Sequence, residues 1–138
     1  SSLYPQPVNH GKYSSPYRPY RRSLKSAMKE YAFWREMPLV DDAYELFMWC
    51  HVLAANLRTC VSILTHPQPH HSCIMGKLNW ARQHFPDTPV AFAIENCKPT
   101  FAGRTDVLVD DCLDNVIRFK AAGGKGILLP RPWNPLYK

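Results

Sequence analysis

Asp110 and Asp111 stand side by side directly after Val107, Leu108 and Val109. Adjacent carboxylates at the end of a short apolar run can do two kinds of work. An acid there can cap the helix that follows, because its oxygens accept from the first N–H groups and its charge suits the positive end of the dipole. A pair can instead hold a divalent cation or position a phosphoryl group, since Mg²⁺ takes oxygen ligands. Both readings stand on these residues alone. His66, His70 and His71 also cluster, but their spacing on a proline-rich turn matches no known ligand geometry. Five cysteines (Cys50, Cys60, Cys73, Cys97 and Cys112) are odd in number and contain no C-x-x-C. They predict mostly buried thiols in a reducing compartment rather than a zinc site or a disulfide framework.

The elements that must position the acids are legible around them. Residues 107–109 read as a buried strand. Residues 112–122 read as a helix with Leu113, Val116, Ile117 and Phe119 as apolar positions and Gly123-Gly124 as its stop, and 126–129 form a second strand. The acids then lie at the carboxyl end of a strand, where ligand sites of open α/β sheets form. Upstream, a strand is expected at 60–65. Ser72 is expected to cap a helix over 73–85, with Ile74, Leu78 and Ala81 inward and Lys77 and Arg82 outward. Another strand follows at 89–94, then a loop at 95–104.

Earlier still, residues 21–34 predict one helix, ended before Pro38. Asp41-Asp42 cap a second helix over 43–57 that is apolar on more than one side. That helix is expected to be mostly buried, with Met48 and Trp49 in the core and His51 partly exposed. From Ala43 the order is α β α β β α β, which predicts a mostly parallel sheet with helices on both faces.

Residues 1–20 contain four prolines and four tyrosines and no usable period, which predicts an extended arm lying on a surface. The tail at 130–137 is expected to pack through Trp133. The 138 residues suffice for one domain with a modest core, and 46% apolar with 20% charged residues exclude a disordered chain. A net charge of +6 permits contact with nucleic acid or an anionic lipid surface. No run approaches transmembrane length.

From Phe33 to Tyr137 the chain resembles the 5′(3′)-deoxyribonucleotidases of the haloacid dehalogenase-like (HAD-like) superfamily. The matching pieces are Phe33-Trp34, Met37-Pro38, Ile63-Leu64-Thr65, Gly76-Lys77-Leu78 with Trp80, and His84-Phe85-Pro86. They continue with Asp106-Val107-Leu108-Val109-Asp110-Asp111, Asn115, Ala121-Ala122-Gly123-Gly124, Gly126-Ile127-Leu128 and Pro132-Trp133-Asn134. The resemblance implies a Rossmannoid three-layer sandwich. It implies that Thr65 and Lys98 bind phosphate, and that Asp110 and Asp111 hold Mg²⁺ for phosphoryl transfer.

One departure counts against catalysis. In that family an Asp-x-Asp motif on the first strand supplies the nucleophile and the acid–base, whereas no Asp or Glu precedes Glu30 here. The first strand is also missing or replaced, and it lies centrally in the superfamily's sheet, between the strands matching 60–65 and 106–110. Its slot must be closed, or filled by the arm, another chain or a further segment, because unpaired buried backbone groups cost about 1–3 kcal/mol each. The expectation is a non-catalytic relative acting as a structural or accessory subunit of a larger assembly, a mitochondrial one by preference and a cytoplasmic one as the alternative, with the arm contacting other subunits. Catalytic residues are then none, and cofactors are none or weakly bound Mg²⁺. The alternatives are a Mg²⁺-dependent 5′-nucleotidase of which this chain is a part, and a nucleotide-binding module.

Overall fold

The computed structural model describes residues 18–132, with side chains from Ser23 onward. The expectations for residues 1–17, and for packing through Trp133, lie outside the described residues. Five helices and four strands follow in the order α1 (Arg18–Ala27), α2 (Tyr31–Arg35), α3 (Ala43–Asn56), β1 (Ile63–Thr65), α4 (His71–His84), β2 (Val90–Phe92), β3 (Val107–Asp110), α5 (Leu113–Ala121) and β4 (Lys125–Leu128). From α3 onward this is the α β α β β α β order that the sequence predicts. The chain divides into two compact units, residues 23–95 and a second unit containing residues 96–132.

In the unit of residues 23–95, β1 and β2 pair in parallel, with Ile63 opposite Val90 and Thr65 opposite Phe92. The expected single helix at 21–34 is instead two, α1 and α2. The break has a cause: the Trp34 indole N–H donates to the Met28 carbonyl at 2.8 Å, claiming an acceptor that a continuous helix would use. Helix α4 starts two residues earlier than expected, at His71, and Ser72 does not cap it but donates its hydroxyl to the Lys29 carbonyl. The core of this unit gathers on buried Phe85, with the Phe47 ring stacked on it at 3.6 Å between centroids and Trp80 at 6.0 Å. The Trp80 indole N–H meets the Met37 carbonyl at 2.6 Å and so ties the segment before α3 to α4.

Helix α3 departs from expectation in two ways. Asp42 occupies its N-cap position but makes no side-chain cap bond. Its inward stripe is Ala43, Leu46, Phe47, Cys50, Leu53 and Ala54, while Met48 and Trp49, expected in the core, are 70% and 47% exposed. Apolar residues stand on both sides of α3, but among the described residues only the inward side is packed.

The end of α3 carries an uncommon residue. The Thr59 N–H bonds the Ala54 carbonyl and the Arg58 N–H bonds the Ala55 carbonyl, a Schellman pattern with Arg58 in the left-handed region at φ 53°. Helix α5 closes the same way, but there the left-handed residue is Gly123, at φ 103°. Glycine carries no Cβ penalty in that conformation. Arg58→Gly is therefore expected to stabilise the protein by about 0.5–1 kcal/mol, a few degrees in Tm, read by thermal denaturation.

In the other unit, β3 and β4 pair in parallel with Val107 opposite Lys125 and Asp110 opposite Leu128. Val116 and Phe119 of α5 are buried, but Ile117, expected inward, is 55% exposed. The loop at 95–104 winds into two short 3₁₀ turns, Ile94–Asn96 and Lys98–Phe101, and the second buries Lys98.

Each sheet has two strands among the described residues. The Ile63 N–H and the Thr65 carbonyl bond to the β2 segment, so by parallel-strand alternation the Leu64 backbone groups face the opposite edge. The Asp106 and Asp110 carbonyls bond to the β4 segment, which turns the Val107 and Val109 backbone groups the other way. Neither of those outer edges carries a further strand among the described residues.

Candidate functional site

Both predicted groups of site residues lie at the carboxyl ends of parallel strands. In the unit of residues 23–95, Thr65 ends β1 and its Oγ1 accepts from Lys77 Nζ at 3.0 Å. The same ammonium donates to the His66 carbonyl at 3.1 Å and sits 4.7 Å from the centroid of the Trp34 ring. Lys77 therefore does not face outward as expected. It lies on α4 between Cys73 and Ala81, one helical turn from each, and both of those are buried. That periodicity is the signal in the sequence for the inward position of Lys77. A hydroxyl that accepts from an ammonium is left with its own proton to donate. Thr65 and Lys77 thus set a hydroxyl and an ammonium side by side at the end of β1.

The second group is tighter. Asp110 ends β3 and is 8% exposed. Lys98, equally buried, reaches it from the 3₁₀ turn, with Nζ 2.7 Å from Oδ2. Asn115, on the first turns of α5, donates Nδ2–H to the same oxygen at 3.1 Å. The Cys112 N–H donates to Oδ1 at 2.8 Å. Lys98 and Asp110 are thus brought together as an ion pair, with Asn115 added to them. Asp111 is half-buried beside them. Thr65 belongs to the other unit.

This donor set does not fit Mg²⁺. The ion takes six oxygens in near-octahedral geometry. Three donors already occupy Asp110, one of them an ammonium that would stand as a like charge beside the metal. Among the described residues no group of three or more His, Cys, Asp or Glu converges on a point. That holds for His66, His70 and His71 too: the His66 ring nitrogen pairs with the Ala93 carbonyl at 3.0 Å, and His70 and His71 are exposed. Held by these three donors, Asp110 fixes the turn from β3 into α5.

All five cysteines are free thiols, but only Cys73 is buried, Cys60 is exposed and the other three are half-buried. The expectation of mostly buried thiols is corrected on that point. Burial pushes the Cys50 and Cys73 thiols up from their ordinary range, so neither is a poised nucleophile.

No curated protein and no solved structure matches the chain. A family model does, that of the 5′ nucleotidase, deoxy (pyrimidine), cytosolic type C protein, over residues 9–137. With Lys98, Asp110 and Asn115 assembled at the end of a parallel strand, and the match spanning nearly the whole sequence, the chain belongs to the deoxy-pyrimidine 5′-nucleotidase family of HAD-like proteins.

Proposed function

We propose that this chain works as a non-catalytic deoxyribonucleotidase-like module, a structural or accessory subunit of a larger protein assembly. The observation that carries the reading is the condition of Asp110. Its carboxylate is held by Lys98, Asn115 and the Cys112 N–H, so the acid that would serve a metal serves the fold. A second support is in the sequence: residues 1–29 contain no Asp or Glu, so none of them can offer a carboxylate nucleophile. In this reading Mg²⁺ binds weakly or not at all. The two parallel pairs belong to a three-layer Rossmannoid sandwich whose first-strand slot is filled by some other segment. The segment before α1, shorter than the expected arm because Arg18, Pro19 and Tyr20 belong to that helix, reaches partner subunits, and the net charge of +6 suits an acidic partner such as nucleic acid or an anionic lipid surface. Among the described residues no helix is long and apolar enough to cross a membrane. The matched family is described as a cytosolic type, which favours the cytoplasm over the mitochondrion.

One observation favours a second reading. The Thr65–Lys77 pair keeps a hydroxyl and an ammonium 3.0 Å apart at a strand end, which suits binding of a nucleotide phosphate without its hydrolysis.

Incubation with a deoxynucleoside monophosphate and Mg²⁺ tests both. The expected result is no phosphate release above the uncatalysed background, with the native protein migrating in a particle much larger than its 15.9 kDa. Saturable binding without release, lost in Lys77→Met, would favour the nucleotide-binding reading. Release that stops with chelator and in Asp110→Asn would overturn both and restore the Mg²⁺-dependent 5′-nucleotidase.

A further inference from the structure

The charge of this chain is concentrated in one place. Residues 1–29 contain six Lys and Arg and no acid, whereas residues 30–138 hold eleven charges of each sign, so the whole excess of +6 lies before Glu30. Five of the six fall within α1 or two residues past it: Arg18, Arg21, Arg22, Lys25 and Lys29. By helical period Arg18, Arg22, Lys25 and Lys29 share one face, at steps of four, three and four, and Arg21 flanks them. At 1.5 Å per residue the stripe is about 16 Å long. We infer that this face docks on the phosphate backbone of double-helical RNA.

A basic helix face often serves solubility alone, but three features here favour a polyanion. First, Lys25 and Lys29 are exposed, and among the described residues neither ammonium has an ion-pair partner. Second, α1 has no acid in its first turn and sets Arg18, Arg21 and Arg22 in its first five residues, at the positive end of the dipole where cations are disfavoured. An arriving phosphate relieves that repulsion. Third, the carboxyl end of the stripe is fixed in place. The Met28 carbonyl accepts from the Trp34 indole at 2.8 Å and the Lys29 carbonyl accepts from the Ser72 hydroxyl, so less ordering is lost on binding. The kind of polyanion follows from the rest of the helix. A helix lying in an anionic membrane needs its apolar side free, whereas Leu24, Ala27 and Met28 are already half-buried. A single strand needs aromatic residues for its bases to stack on, and the basic face has none. A duplex presents about nine phosphate charges along 16 Å of its axis. RNA rather than DNA follows from the cytoplasmic location favoured above, and that choice alone rests on the proposed function.

Fluorescence anisotropy of a labelled RNA duplex of about 20 base pairs, titrated with the full chain, is the test. Four or five neutralised phosphates predict micromolar binding at about 50 mM salt that weakens about 100- to 500-fold by about 200 mM. Lys25→Ala with Lys29→Ala should weaken binding at least tenfold at low salt and reduce the log–log salt slope by about 2. Arg118→Ala with Lys120→Ala, two exposed residues of α5, removes the same net charge elsewhere and should leave affinity and slope unchanged. Equal loss in the two double variants would mean that only net charge matters and would overturn the proposal. So would the absence of saturable binding at about 100 μM protein and 50 mM salt. Tighter binding of a single strand of the same length, or of vesicles of phosphatidylserine and phosphatidylcholine, would overturn it as well. A DNA duplex bound tenfold more tightly than the RNA duplex would overturn the choice of RNA. None of these outcomes bears on phosphate release from a deoxynucleoside monophosphate, so the non-catalytic reading stands or falls separately.

Discussion

Asp110→Ala is expected to destabilise the protein by about 3–5 kcal/mol, a large part of the 5–15 kcal/mol that holds a typical domain together. The substitution removes the acceptor of three donors at once. The Lys98 side chain is 10% exposed, so its ammonium would be left in a low-dielectric site without a counter-charge. Asn115 Nδ2 and the Cys112 N–H would lose the oxygens they now share. Lys98→Met should cost less, about 1–3 kcal/mol, because the remaining carboxylate keeps two N–H donors. The double substitution Asp110→Leu with Lys98→Met should recover part of the loss, since exchanging a buried ion pair for apolar groups is often near neutral. Urea unfolding of the four proteins gives the comparison. A cost below 1 kcal/mol for Asp110→Ala would mean that the pair is hydrated and does not secure the turn from β3 into α5, and the structural role assigned to Asp110 would fail with it.

The same pair shows what the sequence could and could not reveal. The strand at 107–110 and the helix after it were legible, because an apolar run, two acids, a 3.6-residue period and a double glycine all agree there. The partnership of Lys98 with Asp110 was not legible from spacing, since twelve residues separate them and a 3₁₀ turn that no period announces carries the lysine inward. Only the family resemblance placed Lys98 at the site. The inward position of Lys77 is encoded in the stripe of Cys73 and Ala81 that includes it, and Thr65 and Trp34 give its charge partners that make that position tolerable. Helix α3 shows the opposite limit: its apolar residues lie on both faces, yet among the described residues only the face of Ala43, Phe47, Cys50 and Ala54 is packed. Short strands set the limit at the edges: β1 is three residues long where six were expected, because Cys60, Val61 and Ser62 precede the point where pairing with β2 starts.

Gly76→Val is expected to cost about 4 kcal/mol or more, and Gly76→Ala about 2 kcal/mol, both against the direction of helix propensity. Gly76 sits within α4, where glycine costs up to 1 kcal/mol relative to alanine on an exposed helix. The compensation is close approach. A Cβ at Gly76 would lie 2.7 Å from Trp34 Cβ, 2.8 Å from the Tyr31 carbonyl oxygen and 3.3 Å from the Arg35 N. Two of these neighbours are backbone of α2, a five-residue helix that cannot yield locally and would have to move as a whole. Its movement reaches the site, because the next residue of α4, Lys77, holds its ammonium 4.7 Å from the Trp34 ring and 3.0 Å from Thr65 Oγ1. Gly76 thus couples helix packing to the geometry of the Thr65–Lys77 pair. Urea unfolding measures the stability cost, and the fluorescence of Trp34, isolated by replacing the other tryptophans with phenylalanine, reports the displacement of the ring from Lys77. If Gly76→Ala were neutral or stabilising, helix propensity would have won over contact. Helix α2 would then stand further from α4 than described, and Lys77 would owe its position to Thr65 and the His66 carbonyl without help from Trp34.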